Sequence, residues 1–312
     1  MGDPGTVVLS RHWHRRSSEL AYVIRTIAGA ASRLGPVSVL VPNPLGTSEP
    51  DGAFDLLGMD DGGRYEWPEN TPHGATIVVD DLTPEVGALA SLVDPKACFA
   101  VGSLDDQLGR PWSLIPLVPG AGEPFVGLHV PVHPMAAAHR HGGFGFTGYV
   151  LVLSDRAEPE ETPPSAAAWL TAAFDDAYVV VVEGAVASAW KGRSLRGSVH
   201  VDTRMDLWRL TAHASVCVDL ASGRYVAREC LEALRFGTPI VVPSESGVGA
   251  VHALASGGCT YRDSGELVTQ VAPFLAVGTR ARASASAKRY AEAHYGDPDA
   301  FVARLGALFE GG

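Results

Sequence analysis

Residues Ser215 to Pro243, SVCVDLASGRYVARECLEALRFGTPIVVP, decide how the chain is read. Ser215 to Leu220 is apolar and β-branched, the composition of a strand covered on both faces in a parallel sheet. Ala221, Ser222 and Gly223 interrupt it, and Ser222 is a candidate helix N-cap. Tyr225 to Phe236 reads as a helix with Val226, Leu231 and Leu234 turned inward. Gly237 ends that helix, Pro239 cannot extend it, and Ile240 to Val242 is the next buried strand. The unit is strand–loop–helix–strand, of α/β type, and its loop leads into a helix N-terminus. Unpaired N–H groups and the helix dipole there favour an anion such as a phosphate.

Toward the N-terminus, Val7 to Ser10 is a strand, a helix capped by Ser17 or Ser18 runs to about Leu34, and Val37 to Val41 is a second strand. This β–α–β unit opens a Rossmann-like domain. The intervening Arg11-His12-Trp13-His14-Arg15-Arg16 is basic and aromatic. It is either a solvated surface loop or an anion-binding wall, since loops at the carboxyl ends of parallel strands bind ligands in such folds. Phe54 to Gly58 is a short strand, and Asp60 to Gly74 is polar and turn-rich. Ala75 to Val79 is a strand ending at Asp80-Asp81. Paired carboxylates there suit a general base or a ligand for an acceptor hydroxyl; the alternative is a cap for a helix over Pro84 to Leu92. Cys98 to Val101 is a further strand, and Trp112 to Val118 and Val126 to Val132 are extended. His129, His133, His139 and His141 invite a metal reading, but no matching Cys or carboxylate cluster accompanies them, and Pro131 and Pro134 break the spacing. Asp80, Asp81 and His129 are the candidate catalytic groups of this half.

Gly142 to Gly148 contains a G-x-G-x-x-G match, yet it precedes the strand Tyr149 to Leu153 instead of following one. It reads as hinge glycines, with the domain boundary near 135–147. Beyond it come Ser154-Asp155-Arg156, a helix over Ala166 to Phe174, a buried strand Tyr178 to Val182 and then Glu183-Gly184. Lys191, Arg193 and Arg196 fall in a loop, either rimming a diphosphate site or simply exposed. Val199 to Val201 is a strand leading to the loop Asp202-Thr203-Arg204-Met205, and Asp206 to His213 is a short helix. Past Pro243, Ser244 to Gly249 reads as a glycine loop and Gly257 to Tyr261 as a strand. Helices follow over Glu266 to Ala276, Arg280 to His294 and Asp297 to Phe309.

The run Glu232-Ala233-Leu234-Arg235-Phe236-Gly237-Thr238-Pro239-Ile240-Val241-Val242 resembles the E-A-x-x-x-G-T-P-V-V motif of retaining glycosyltransferases of family 4, which have the GT-B fold. The resemblance covers residues 149–312 best. It implies two Rossmann-like domains facing a central cleft, each with a mainly parallel sheet. It implies that Glu232 binds the ribose hydroxyls of a nucleotide-sugar donor of UDP or GDP type, and that Arg156 clamps the pyrophosphate. Glu183 matches the stretch after the second strand, Asp202 opens the loop that reads the nucleobase, and Ser222, Gly223, Arg224 and Tyr225 form the donor-side helix start. The family's other acidic position falls at residue 224, which is Arg224 here. That cation either stabilises the leaving group, binds an anionic ligand, or marks a site that has lost transfer activity.

The 312 residues suffice for two domains, and the net charge of −11 argues against binding to a nucleic-acid backbone. The four cysteines, Cys98, Cys217, Cys230 and Cys259, have neither paired nor metal-like spacing, which fits a reducing compartment. No signal peptide and no apolar run of about 18 residues is present, so a soluble, cytoplasmic protein is expected. The expected domains are 1–140 on the acceptor side, 141–295 on the donor side, and a C-terminal helix over 296–312 crossing back to the first. The expected activity is sugar transfer to a glycan or small-molecule acceptor, with no metal and no cofactor beyond the donor substrate, and with oligomeric state open. The alternative is a catalytically inactive relative binding a nucleotide, an anionic glycan or a partner protein.

Overall fold

The computed structural model describes residues 5–10, 13, 19–41, 55–58, 74–80, 95–102, 112–116, 130–138, 148–153, 170, 172–174, 179–183, 190–194, 197–201, 203–220 and 227–311. In chain order these carry β1 (Thr6–Leu9), α1 (Glu19–Ala31), β2 (Val37–Val41), β3 (Asp55–Gly58), β4 (Thr76–Val79), β5 (Ala97–Gly102), β6 (Trp112–Pro116) and α2 (Met135–Ala138). Then come β7 (Val150–Leu153), β8 (Val179–Glu183), β9 (Trp190–Ser194), β10 (Gly197–Val201), α3 (Arg204–His213), β11 (Val216–Asp219) and α4 (Arg228–Phe236). The chain ends through β12 (Ile240–Pro243), α5 (Gly247–Ala255), β13 (Cys259–Tyr261), α6 (Ser264–Leu275), α7 (Val277–Tyr295) and α8 (Pro298–Gly311).

The chain divides into two units. The first holds Met1–Arg16, Leu20–His129 and Asp297–Gly312, and the second holds Ser17–Glu19 and Val130–Gly296. The division precedes the glycine run expected to mark it. Val130 is fully buried and donates its N–H to the Tyr295 carbonyl at 3.1 Å, which ties residues 130–138 to the second unit.

In the first unit six parallel strands lie in the order β3-β2-β1-β4-β5-β6. Their apolar runs supply a core of Val7, Leu9, Leu40, Ile77, Val79 and Cys98. Strand order reverses at β1 and β4, the place where open α/β sheets bind ligands. α8 packs in this unit. Asp297 accepts N–H bonds from Asp299 and Ala300 at 2.9 and 3.2 Å, and Pro298 takes the first helical position, where it loses no bond. Phe301, Leu305 and Phe309 then fall on one buried face, with the Phe309 ring centroid 5.2 Å from that of Phe99. Of the basic loop after β1, only Trp13 is described. It is fully buried, its carbonyl accepts from Arg25 Nε at 2.9 Å, and the same guanidinium lies 5.2 Å above its ring. That tryptophan belongs to the core instead of to a solvated loop.

The second sheet runs β10-β9-β8-β7-β11-β12-β13. It is parallel from β8 to β13, while β9 and β10 form an antiparallel hairpin on one edge. Lys191 and Arg193, expected in a loop, lie in β9; an antiparallel edge tolerates polar residues because one face can meet water. The stretch after Pro243 is also shorter as a loop than expected, because α5 begins at Gly247. Val150, Val152, Val216, Val218, Val241, Leu267 and Val271 fill the core of this unit. Behind it, His252 of α5 is buried with Tyr290 and Tyr295 of α7, whose hydroxyls lie 2.9 and 2.6 Å from its Nδ1.

Candidate functional site

The end of β11 and the start of α4 form one construction. β11 ends in Asp219, whose carboxylate is 2% exposed and accepts the Ala227 N–H at 2.8 Å. Ala227 is the N-cap of α4 and makes no side-chain cap bond, so Asp219 fixes where the helix starts. Ser222 is therefore not the cap: the helix begins later than the sequence pattern indicated, because a buried strand-end carboxylate captures the chain eight residues on. Tyr261 of β13 donates its hydroxyl to the Asp219 carbonyl at 2.9 Å, bracing the same strand end.

α4 closes on Gly237 at φ 80°, and its N–H bonds back to Ala233 and Leu234. Thr238 donates its N–H to Ala233 at 2.8 Å and its hydroxyl to the Thr211 carbonyl at 2.7 Å, stitching the C-terminal turn of α3. The Gly-Thr-Pro run thus has three local tasks: a left-handed turn, a bond to the neighbouring helix, and entry into β12.

α3 begins at Arg204, within the stretch expected as a loop, because Thr203 caps it. The Thr203 hydroxyl accepts the Asp206 N–H at 3.2 Å and donates to the Asp206 carboxylate at 2.8 Å. Arg204 reaches from this first turn to α4. Its Nη1 lies 2.7 Å from Glu229 Oε1, its Nη2 lies 2.5 Å from Glu232 Oε2, and its Nε donates to Glu232 Oε1 at 3.2 Å. Arg228 adds a bond from Nε to Glu232 Oε1 at 3.0 Å, one helical turn away on α4. The Glu232 side chain is 1% exposed, that of Glu229 5%, and those of both arginines 28%. Burial pushes the Glu232 carboxyl above the usual carboxylate range, against the downward pull of Arg204 and Arg228. For Arg204, burial works against the charge, but Glu229 and Glu232 outweigh it and hold the guanidinium firmly protonated.

In the first unit Asp80 ends β4, is 6% exposed and accepts the Ser10 hydroxyl, which joins the ends of β1 and β4 at the point where strand order reverses. The other expected site positions are only partly placed. Glu183 terminates β8. Asp81, His129, Arg156, Asp202, Ser222, Gly223, Arg224 and Tyr225 lie outside the described residues. Sequence reasoning passed over Asp219, Arg204 and Glu229. Asp219 had a visible signal, a single carboxylate closing an apolar strand, and Glu229 shares a helix face with Glu232 at three-residue spacing. Among the described residues no group of three or more His, Cys, Asp or Glu side chains is placed to hold a metal ion. No helix among them is long and apolar enough to cross a membrane.

No family model matches the chain, and no curated protein matches it in sequence. Solved structures do match over nearly its whole length. Sucrose-phosphate synthase from Thermosynechococcus elongatus superposes with a TM-score of 0.65 at 13% identity, covering 98% of each chain. The glycotransferase of kitacinnamycin gives 0.63 at 12% identity, with 99% of each chain covered. WaaG, a glycosyltransferase involved in lipopolysaccharide biosynthesis, gives 0.60 at 14% identity, covering 98% of this chain and all, 100%, of that one. The chain is an α/β protein of two Rossmann-like domains with the fold of the GT-B glycosyltransferases.

Proposed function

We propose that the protein is a glycosyltransferase that moves a sugar from a nucleotide-sugar donor of UDP or GDP type to a glycan or small-molecule acceptor. The observation that carries this reading is the likeness in fold, over both domains, to the glycotransferase of kitacinnamycin and the glycosyltransferase WaaG. The E-A-x-x-x-G-T-P run supports it, since Glu232 sits in the second turn of a helix that starts beside a strand's carboxyl end. In this reading Glu232 holds the donor ribose, and the stretch Ser222, Gly223, Arg224 and Tyr225, which precedes α4 in the chain, receives the phosphates with Arg156. Arginine and helix N–H groups then stabilise the leaving diphosphate in place of a metal. Asp80 stands ready as an acceptor-side carboxylate, oriented by Ser10.

A second reading is favoured by one observation, the pairing of Arg204 and Arg228 with Glu232. Under it the protein binds a nucleotide or an anionic glycan without transfer. Calorimetry with a panel of nucleoside diphosphates and anionic glycans tests both: at least one should bind, and binding to none overturns them together. Slow hydrolysis of a bound nucleotide sugar then distinguishes the transferase from the passive binder.

A further inference from the structure

We propose that Arg204 is an intramolecular latch on Glu232, holding the carboxylate in place of a ribose diol until a nucleotide displaces it. The inference rests on the reading above, in which Glu232 is the ribose-binding group. Its ground is what already surrounds the carboxylate. Glu232 Oε1 accepts from Arg204 Nε and Arg228 Nε, and Oε2 lies 2.5 Å from Arg204 Nη2 in an ion-pair contact. A vicinal diol donates two hydrogen bonds, and the carboxylate, at 1% exposure, has no open side to receive them. The ribose and the Arg204 fork therefore compete for the same oxygens.

The two arginines differ in a way that identifies which one leaves. Arg228 is on the same helix as Glu232, one turn earlier, so it stays with the carboxylate wherever α4 goes. Arg204 comes from a different helix, α3, and has a second anchor in Glu229 at 2.7 Å. When its fork leaves Glu232, Glu229 still holds the guanidinium and Arg228 still neutralises the carboxylate. Neither buried charge is stranded, which is what makes the exchange accessible.

The experiment compares uridine and guanosine diphosphate with their 2′,3′-dideoxy forms by calorimetry, on the full chain and on variants. In the native protein the ribose gains little over the dideoxy form, because opening the latch offsets the new bonds. Arg204→Ala should raise the preference for the ribose form about tenfold, the effect of freeing charge-assisted hydrogen bonds, with dideoxy affinity unchanged. Glu229→Gln, which loosens only the anchor, should raise it less, and Glu232→Ala should abolish it. Arg204→Lys keeps the charge without the fork and carries the test if Arg204→Ala fails to fold. A preference that stays the same or falls in Arg204→Ala and Arg204→Lys, while the nucleotide still binds, overturns the latch alone. Binding of neither form by any variant overturns the latch and the reading beneath it.

Discussion

The Arg204 guanidinium and the Glu232 carboxylate meet as a two-pronged pair, Nη2 to Oε2 at 2.5 Å and Nε to Oε1 at 3.2 Å, across two helices. Removing one partner of such a pair leaves a buried charge short of its counterpart. Arg204→Ala is expected to lower unfolding free energy by about 2–4 kcal/mol, with part of the loss cushioned by Arg228. In a double-mutant cycle with Glu232→Gln, urea unfolding should return a coupling of about 1–3 kcal/mol. Additive losses would mean that the two side chains do not act as a pair.

His252 predicts an acid-sensitive fold. Burial, with His294 nearby adding a smaller push, lowers its pKa from 6.5 to about 3. The ring is neutral when folded and takes a proton near 6.5 once unfolded, so its contribution is complete above 6.5 and is lost progressively down to about 3. The full loss is of the order of 5 kcal/mol. Unfolding measured between about pH 7 and pH 4 should fall more steeply for the native chain than for His252→Gln, which retains a polar partner for Tyr290 and Tyr295. Equal slopes would show that the ring is protonated in the fold.

Gly237 is held at φ 80°, and a Cβ there would lie 2.7 Å from Lys288 side-chain carbons and 2.9 Å from the Ser284 hydroxyl. Gly237→Ala is expected to cost about 1–2 kcal/mol from the left-handed backbone alone, with a further loss as Lys288 shifts. Thermal unfolding checks it, and an unchanged midpoint would contradict the turn geometry.

Phe309 packs on Phe99 and is 7% exposed. Phe309→Ala should destabilise the first unit by about 3 kcal/mol, read by urea unfolding against a control at exposed Leu254. A loss no larger than the control's would mean that α8 is not seated on the sheet.

What the sequence revealed follows from how local each cause is. Apart from β9, which reads as a loop, the strands were legible because short β-branched runs between turn residues leave few alternatives, as in Val150–Leu153 and Val216–Asp219. Gly237-Thr238-Pro239 was legible because a helix stop is written in adjacent residues. The start of α4 was misjudged because Asp219 holds the N-cap Ala227 from eight residues earlier, while the pattern drew attention to Ser222. Arg204 was passed over as a loop residue because its role depends on Glu229 and Glu232, 25 and 28 positions away, a pairing created only by helix packing. Trp13 reads from sequence as part of a basic loop, either solvated or anion-binding, and its partner Arg25 on α1 and its burial show that it belongs inside.

The grouping of Asp297–Gly312 with the N-terminal sheet carries a consequence for synthesis. As the chain leaves the ribosome, the second unit has all its residues before the first does, although the first began earlier. The N-terminal sheet lacks the helix that carries Phe309 until residues 297–312 have been made. Synthesis interrupted just after Gly296 would leave the second unit with all its residues and the first without its last helix.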